Sequence, residues 1–196
     1  GGVITTNSFK LFKKLKLYSK HGIDRNRKMF NKFKRIGRWK YDMLELGYNY
    51  RLTNFQAALG ISQLKKINNF VKNRKKIVNL YNEHFGKNEF LITPYESKRV
   101  KSNFHIYTLQ VKKNKYFDRY DLFNHLKSKS YAPMVHYIPI HYLKFYKNKY
   151  KFKIGDFPVA ENYYNQAISI PLYPSMTNME IEKVIKDINS FIKFKC

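Results

Sequence analysis

Gly47-Tyr48-Asn49-Tyr50-Arg51-Leu52-Thr53-Asn54-Phe55-Gln56-Ala57-Ala58-Leu59-Gly60 passes from a polar, aromatic segment into a helix-forming pattern. Thr53 or Asn54 stands where a side-chain oxygen can accept from the first free backbone N–H groups of that helix. Gly47 permits a turn that a β-carbon would hinder, and Asn49 and Arg51 bring donors beside a positive helix end. A phosphate would suit that junction. An ordinary loop and N-cap, with Tyr48 and Tyr50 as packing residues, would carry the same residues.

Downstream, Phe55, Ala58, Leu59, Leu64, Ile67, Val71, Ile77, Leu80, Tyr81 and Phe85 recur at a helical period, with lysines between them. The pattern from Asn54 to Phe85 exceeds an ordinary globular helix, so a bend or break is expected near Asn68-Asn69. It reads as a connector between two domains. Upstream, Val3 to Thr6 suits a short strand, and Asn7-Ser8 caps an amphipathic basic helix carrying Leu11, Phe12, Leu15 and Tyr18 on one face. His21-Gly22-Ile23 ends that helix. Asp24 to Asp42 reads as an extended loop anchored by Trp39 and Tyr41.

Beyond Gly86 the pattern alternates. Strands are expected at Phe104–Val111, Ala132–Ile138 and Ile168–Ile170, and helices at Tyr116–Ser128, from Pro158 to Gln166 and from Thr177 onward. In the last helix Ile181, Val184, Ile185, Ile188 and Ile192 form the apolar stripe. Alternating strands and helices give an α/β fold class.

The chain has 196 residues, 43% hydrophobic, enough for one substantial core or two small ones. It contains no apolar run long enough to span a bilayer. The start at Gly1 resembles no secretory signal and reads as a piece of a longer protein. Its single cysteine, Cys196, allows no internal disulfide and no multi-cysteine metal site, and fits a reducing, cytoplasmic setting. Lys and Arg total 39 against 13 Asp and Glu, a net charge of +26. That balance raises the alternative of a non-catalytic basic module binding polyanions such as nucleic acid. The lysines are nevertheless scattered over every segment, and the abundance of Asn, Ile, Phe and Tyr beside them fits a base bias in the coding sequence. No specific nucleic acid and no membrane is therefore expected as a partner.

His136, Tyr137 and His141 straddle Pro139, where a strand ending at a proline would expose an imidazole and a phenol to a sugar or phosphate. A satisfied strand-end histidine at 136 and a surface histidine at 141 would look the same. No zinc site is expected there, because no Cys or carboxylate has metal-ligand spacing. Asp156 and Glu161 read as first-turn helix residues.

The run from Gly47 to Gly60 resembles the segment that marks sugar-nucleotide aminotransferases of the DegT/DnrJ type. The resemblance covers nearly the whole chain through Gly1–Thr6, His21–Ile23, Ser102–Tyr107, Val135–Pro139, Gly155–Glu161 and Ser169–Thr177. It is greatest to the branch acting on a UDP-linked dideoxy sugar on the way to pseudaminic acid. The resemblance implies the C-terminal portion of a fold type I pyridoxal-phosphate-dependent transferase. Residues 1–60 would be the end of the large domain, 61–85 a connector helix and 86–196 the small α/β domain. It further implies a homodimer with a shared active site, which moves an amino group from glutamate to the 4-keto carbon of the sugar. Asn49 and Arg51 would reach the phosphate of pyridoxal 5'-phosphate held by the neighbouring subunit. His136, Tyr137, Ile138 and Pro139 would line the sugar-nucleotide pocket. The family's cofactor-bearing lysine and the aspartate facing the pyridinium nitrogen would lie before Gly1. No catalytic residue is therefore assigned within this chain, and the chain alone is expected not to transaminate.

Overall fold

The computed structural model describes residues 2–24 and 39–196. The chain divides into two compact units, Gly1–Leu64 and Lys65–Cys196. Most of the expected loop between Asp24 and Asp42 lies outside the described residues.

The first unit contains α1 (Phe9–Tyr18), β1 (Ile23–Asp24), β2 (Asp42–Met43) and α2 (Asn54–Lys65). Ser8 caps α1 by accepting from the Leu11 amide. The run Val3–Thr6 is not a strand but exposed irregular chain, and among the described residues it pairs with no strand. After α1 the chain turns through His21 and Gly22, both at positive φ, into an antiparallel β1–β2 ladder of two residues a side. Trp39 and Tyr41, expected as anchors, are exposed. Neither α1 nor α2 buries a residue. On α2 this leaves Phe55 at 90% and Leu64 at 68% exposure.

The second unit holds the hydrophobic core. Its elements are α3 (Ile67–Phe85), β3 (Leu91–Ile92), β4 (Tyr107–Val111), α4 (Arg119–Ser128), α5 (Lys144–Tyr150), α6 (Pro158–Gln166), β5 (Ala167–Ile170) and α7 (Asn178–Lys195). The expected break in the long helical pattern falls at Lys66, between α2 and α3, rather than at Asn68-Asn69. The sheet is antiparallel in the order β3-β4-β5. Central β4 pairs Tyr107 with Ile170 and Leu109 with Ile168, and sends Tyr107, Leu109 and Val111 into the core. β5 is buried at every position.

Against these strands pack Ile77, Val78, Tyr81 and Phe85 of α3, Leu122 and Leu126 of α4, and the stripe Ile181, Val184, Ile185, Ile188 and Ile192 of α7, to which Phe191 adds a residue. Buried phenols find acceptors: Tyr81 donates to the Pro171 carbonyl at 2.8 Å and Tyr107 to Asn82 Oδ1 at 2.7 Å. Burial pushes both phenols up from their ordinary pKa, so they remain neutral donors. Reciprocal side-chain caps start α4 (Asp118 with Asp121) and α7 (Thr177 with Glu180).

Several sequence-derived boundaries move. The strand expected from Phe104 starts at Tyr107, after Phe104 itself takes a positive φ. The helix expected from Tyr116 starts at Arg119, because Asn114 Oδ1 accepts from the Tyr116 and Phe117 amides and holds them in a turn. Ala132–Ile138 is not a strand. Only Met134 bridges to β5, at Ser169; Pro133 beside it has no N–H to donate, and His136 reaches the same serine with its side chain instead.

Candidate functional site

Two places carry the sequence-derived site residues, one in each unit. In the first unit, Gly22 and Gly47 bring two backbone segments into direct contact. A β-carbon on Gly22 would lie 1.6 Å from the Glu45 carbonyl oxygen, and one on Gly47 would lie 2.2 Å from the Gly22 nitrogen. The glycine at 47 thus serves close approach. Around it, His21 N–H donates to the Tyr48 carbonyl (2.9 Å), Tyr48 N–H to the Tyr18 carbonyl (2.7 Å) and Tyr50 N–H to the Ser19 carbonyl (3.1 Å). The segment carrying Asn49 is thereby pinned to the end of α1, and Tyr48 and Tyr50 stack at 5.1 Å.

Asn49 and Arg51 are both exposed, and Arg51 Nε donates to Asn49 Oδ1 at 3.4 Å. That bond turns the carboxamide oxygen toward the guanidinium and leaves the amide nitrogen as a donor. Thr53 is the cap of α2: its Oγ1 accepts from the Gln56 amide (3.3 Å), and Gln56 Oε1 accepts from the Thr53 amide (2.9 Å). Donors without a fixed carboxylate partner, held on a pinned segment, suit the oxygens of an anion. They fit a cofactor's phosphate, and no more of a cofactor than that.

In the second unit a largely apolar cavity of about 690 Å³ is walled by two stretches. Tyr137 and Pro139 come from one; Asp156, Phe157, Pro158, Val159 and Ala160, with Tyr163 one helical turn on, come from the other. Of the four expected pocket residues, Tyr137 and Pro139 line it. His136 instead turns its Nδ1 to Ser169 Oγ at 2.8 Å, and Ile138 is half exposed outside the lining.

Behind the lining lies a pair that the sequence reading missed. His141, expected at the surface if not at a site, is 7% exposed on a 3₁₀ turn at Ile140–Tyr142, and its Nε2 stands 2.8 Å from Glu161 Oε1. The Gly155 amide donates to both Glu161 oxygens, at 2.8 and 3.0 Å. Burial by itself would raise the Glu161 carboxyl; the Gly155 amide, His141, the Phe157 amide and the Tyr142 hydroxyl outweigh it and hold the pKa below the ordinary value. Glu161 is therefore more than a residue answering a helix end. The only sequence signal for the pair was its separation of twenty residues, which no periodicity links. Among the described residues no group of three His, Cys, Asp or Glu lies close enough to hold a metal ion. None of the helices among them is long and apolar enough to cross a membrane.

With both places described, the chain can be set beside known proteins. The DegT/DnrJ/EryC1/StrS aminotransferase family matches residues 1–189, and the chain belongs to it. An uncharacterized protein of Methanocaldococcus jannaschii is 36% identical over 193 residues, 98% of this chain and 50% of that protein. The UDP-4-amino-4,6-dideoxy-N-acetyl-beta-L-altrosamine transaminase of Campylobacter jejuni (serotype O:23/36) is 34% identical over 189 residues, 95% of this chain and 46% of the enzyme. The chain thus spans about half the length of the curated relatives it matches. In fold it is similar to Helicobacter pylori PseC, an aminotransferase involved in the biosynthesis of pseudoaminic acid, with a TM-score of 0.83 at 22% identity, over 96% of this chain and 48% of that one. The PLP form of Spr1654 from Streptococcus pneumoniae gives 0.82 at 23% identity, over 97% of this chain and 45% of that one. The α/β architecture matches about half of a fold type I sugar aminotransferase.

Proposed function

We propose that this chain is the C-terminal part of a cytoplasmic, pyridoxal-phosphate-dependent aminotransferase that transfers an amino group from glutamate to the 4-keto carbon of a UDP-linked dideoxy sugar. The first unit would be the end of the large domain, α3 the connector and the remainder the small domain. When bound, pyridoxal phosphate supplies the electron-accepting ring that stabilises carbanion character. Asn49, steadied by Arg51, donates to the cofactor phosphate of the neighbouring subunit in a homodimer. Tyr137 and Pro139, with Ile138 at the rim and His136 fixing their backbone to β5, shape the place where the sugar nucleotide lies.

The observation that carries this reading is the cavity of the second unit. It joins Tyr137 and Pro139 to the Asp156–Ala160 stretch, two separate segments through which the chain resembles sugar-nucleotide aminotransferases. UDP titrated into the ¹⁵N-labelled chain is expected to shift the amides of Tyr137, Val159 and Tyr163 most. Shifts confined to lysine-rich α1, matched by an arbitrary DNA duplex and abolished by salt, would favour the polyanion-binding alternative raised by the charge of +26. The cofactor half is tested separately, by joining the chain to the N-terminal half of the Campylobacter relative. Asn49→Ala in that enzyme should raise the pyridoxal phosphate concentration needed for activity by roughly tenfold, the effect of losing a hydrogen bond to a charged group.

A further inference from the structure

The cavity is built from two stretches of chain with little else in common. One is Tyr137–Tyr142, leaving the sheet after the Met134 bridge; the other is Lys153–Ala160, entering α6. Between them runs α5, which buries no residue. Among the described residues, the side-chain hydrogen bonds joining the two stretches pass through one carboxylate, that of Glu161. Its oxygens take the His141 ring from one side and the Gly155 amide from the other, and the His141 ring also lies against Phe157, centroids 4.7 Å apart. An ionised carboxylate at 12% side-chain exposure is retained only where donors surround it, and here the donors belong to both walls.

We propose that Glu161 and His141 form a positioning pair that sets the separation of the two walls of the cavity, and through it the fit of the ligand, without either residue touching that ligand. The claim about the ligand rests on the cavity being the sugar-nucleotide site.

The test compares Glu161→Ala, Glu161→Gln, His141→Gln and the lining variant Tyr163→Ala in the 196-residue chain. Two readouts are taken from each, amide hydrogen exchange by NMR and UDP affinity. Glu161→Ala should speed exchange at Gly155 and Phe157 at least tenfold, leave Leu109 and Ile168 unchanged, and weaken UDP binding by about tenfold. Glu161→Gln keeps an acceptor for Gly155 and should restore most of both. Tyr163→Ala should weaken UDP without loosening Gly155, which separates lining from positioning. Should Glu161→Ala fail to fold, His141→Gln carries the same expectation at reduced size. The pair is refuted if Gly155 stays protected in Glu161→Ala and His141→Gln, or if the walls loosen while UDP affinity is unchanged. If the unsubstituted chain takes up no UDP, the reading of the cavity as a nucleotide site falls, and the exchange data alone decide the pair.

Discussion

The two units of this chain are built on opposite principles. In the second, a continuous core of aliphatic and aromatic side chains from α3, β3, β4, α4, β5 and α7 excludes water. In the first, no side chain of α1 or α2 is buried, and order comes from backbone bonds around Gly22 and Gly47, with Lys13 over the Phe9 ring and Lys16 over Phe12. One unit is therefore held by burial and the other by main-chain geometry. Since burial at about 25 cal/mol per Å² dominates stability, the two should respond differently to the same kind of substitution.

The largest expected effect is in the second unit. Leu109→Ala, at a fully buried site on the central strand, should cost about 2–5 kcal/mol, read as a fall in the urea midpoint by far-UV circular dichroism. Gly22→Ala should cost about 1–3 kcal/mol in backbone strain or more, but locally. Fast exchange at the His21 and Tyr48 amides with an unchanged midpoint for the core would show that the units are energetically separate; a global loss would break the comparison.

Acid gives a smaller, graded effect. Glu161 is held below the ordinary carboxyl value of 4.5 by the donors that outweigh its burial, and Glu180 by the Thr177 amide and hydroxyl and by Tyr173. A depressed folded-state pKa contributes stability that is present above the unfolded value and lost as pH falls through the folded one. The second unit should accordingly weaken below about pH 4.5, and Glu161→Gln should flatten that loss in denaturant titrations at successive pH values. Smallest of all is Phe55→Ala on α2, which should change the midpoint by less than about 0.5 kcal/mol because nothing is buried there to lose. A large loss would mean that this face is covered in solution.

The contrast also explains what was readable beforehand. The α7 stripe, the starts of α6 and α7 and the position of β5 follow from periodicity and capping residues, which are local signals. Membership of the aminotransferase family was equally legible, because it lies in contiguous runs. The failures were non-local. Ala132–Ile138 has strand composition, yet whether it pairs depends on which donors Pro133 leaves available. His141 looked like a surface residue because its partner is twenty positions away on another helix. Gly47 was noticed for the turn it permits, whereas the Gly22 backbone pressed against it is what requires it.

The register of the small sheet has one further consequence. Thr108 and Ser169, facing each other across β4 and β5 at 3.3 Å, are 61 positions apart, and every cavity-lining residue falls inside the span they close. Closure entropy grows only with the logarithm of length, so doubling that span would cost about 0.6 kcal/mol. Beyond α4, whose Leu122 and Leu126 belong to the core, the intervening chain can lengthen, shorten or change its chemistry almost independently of the strands that bracket it. A scaffold with that property can acquire a new ligand preference by editing one contiguous insert while its framework stays as it was.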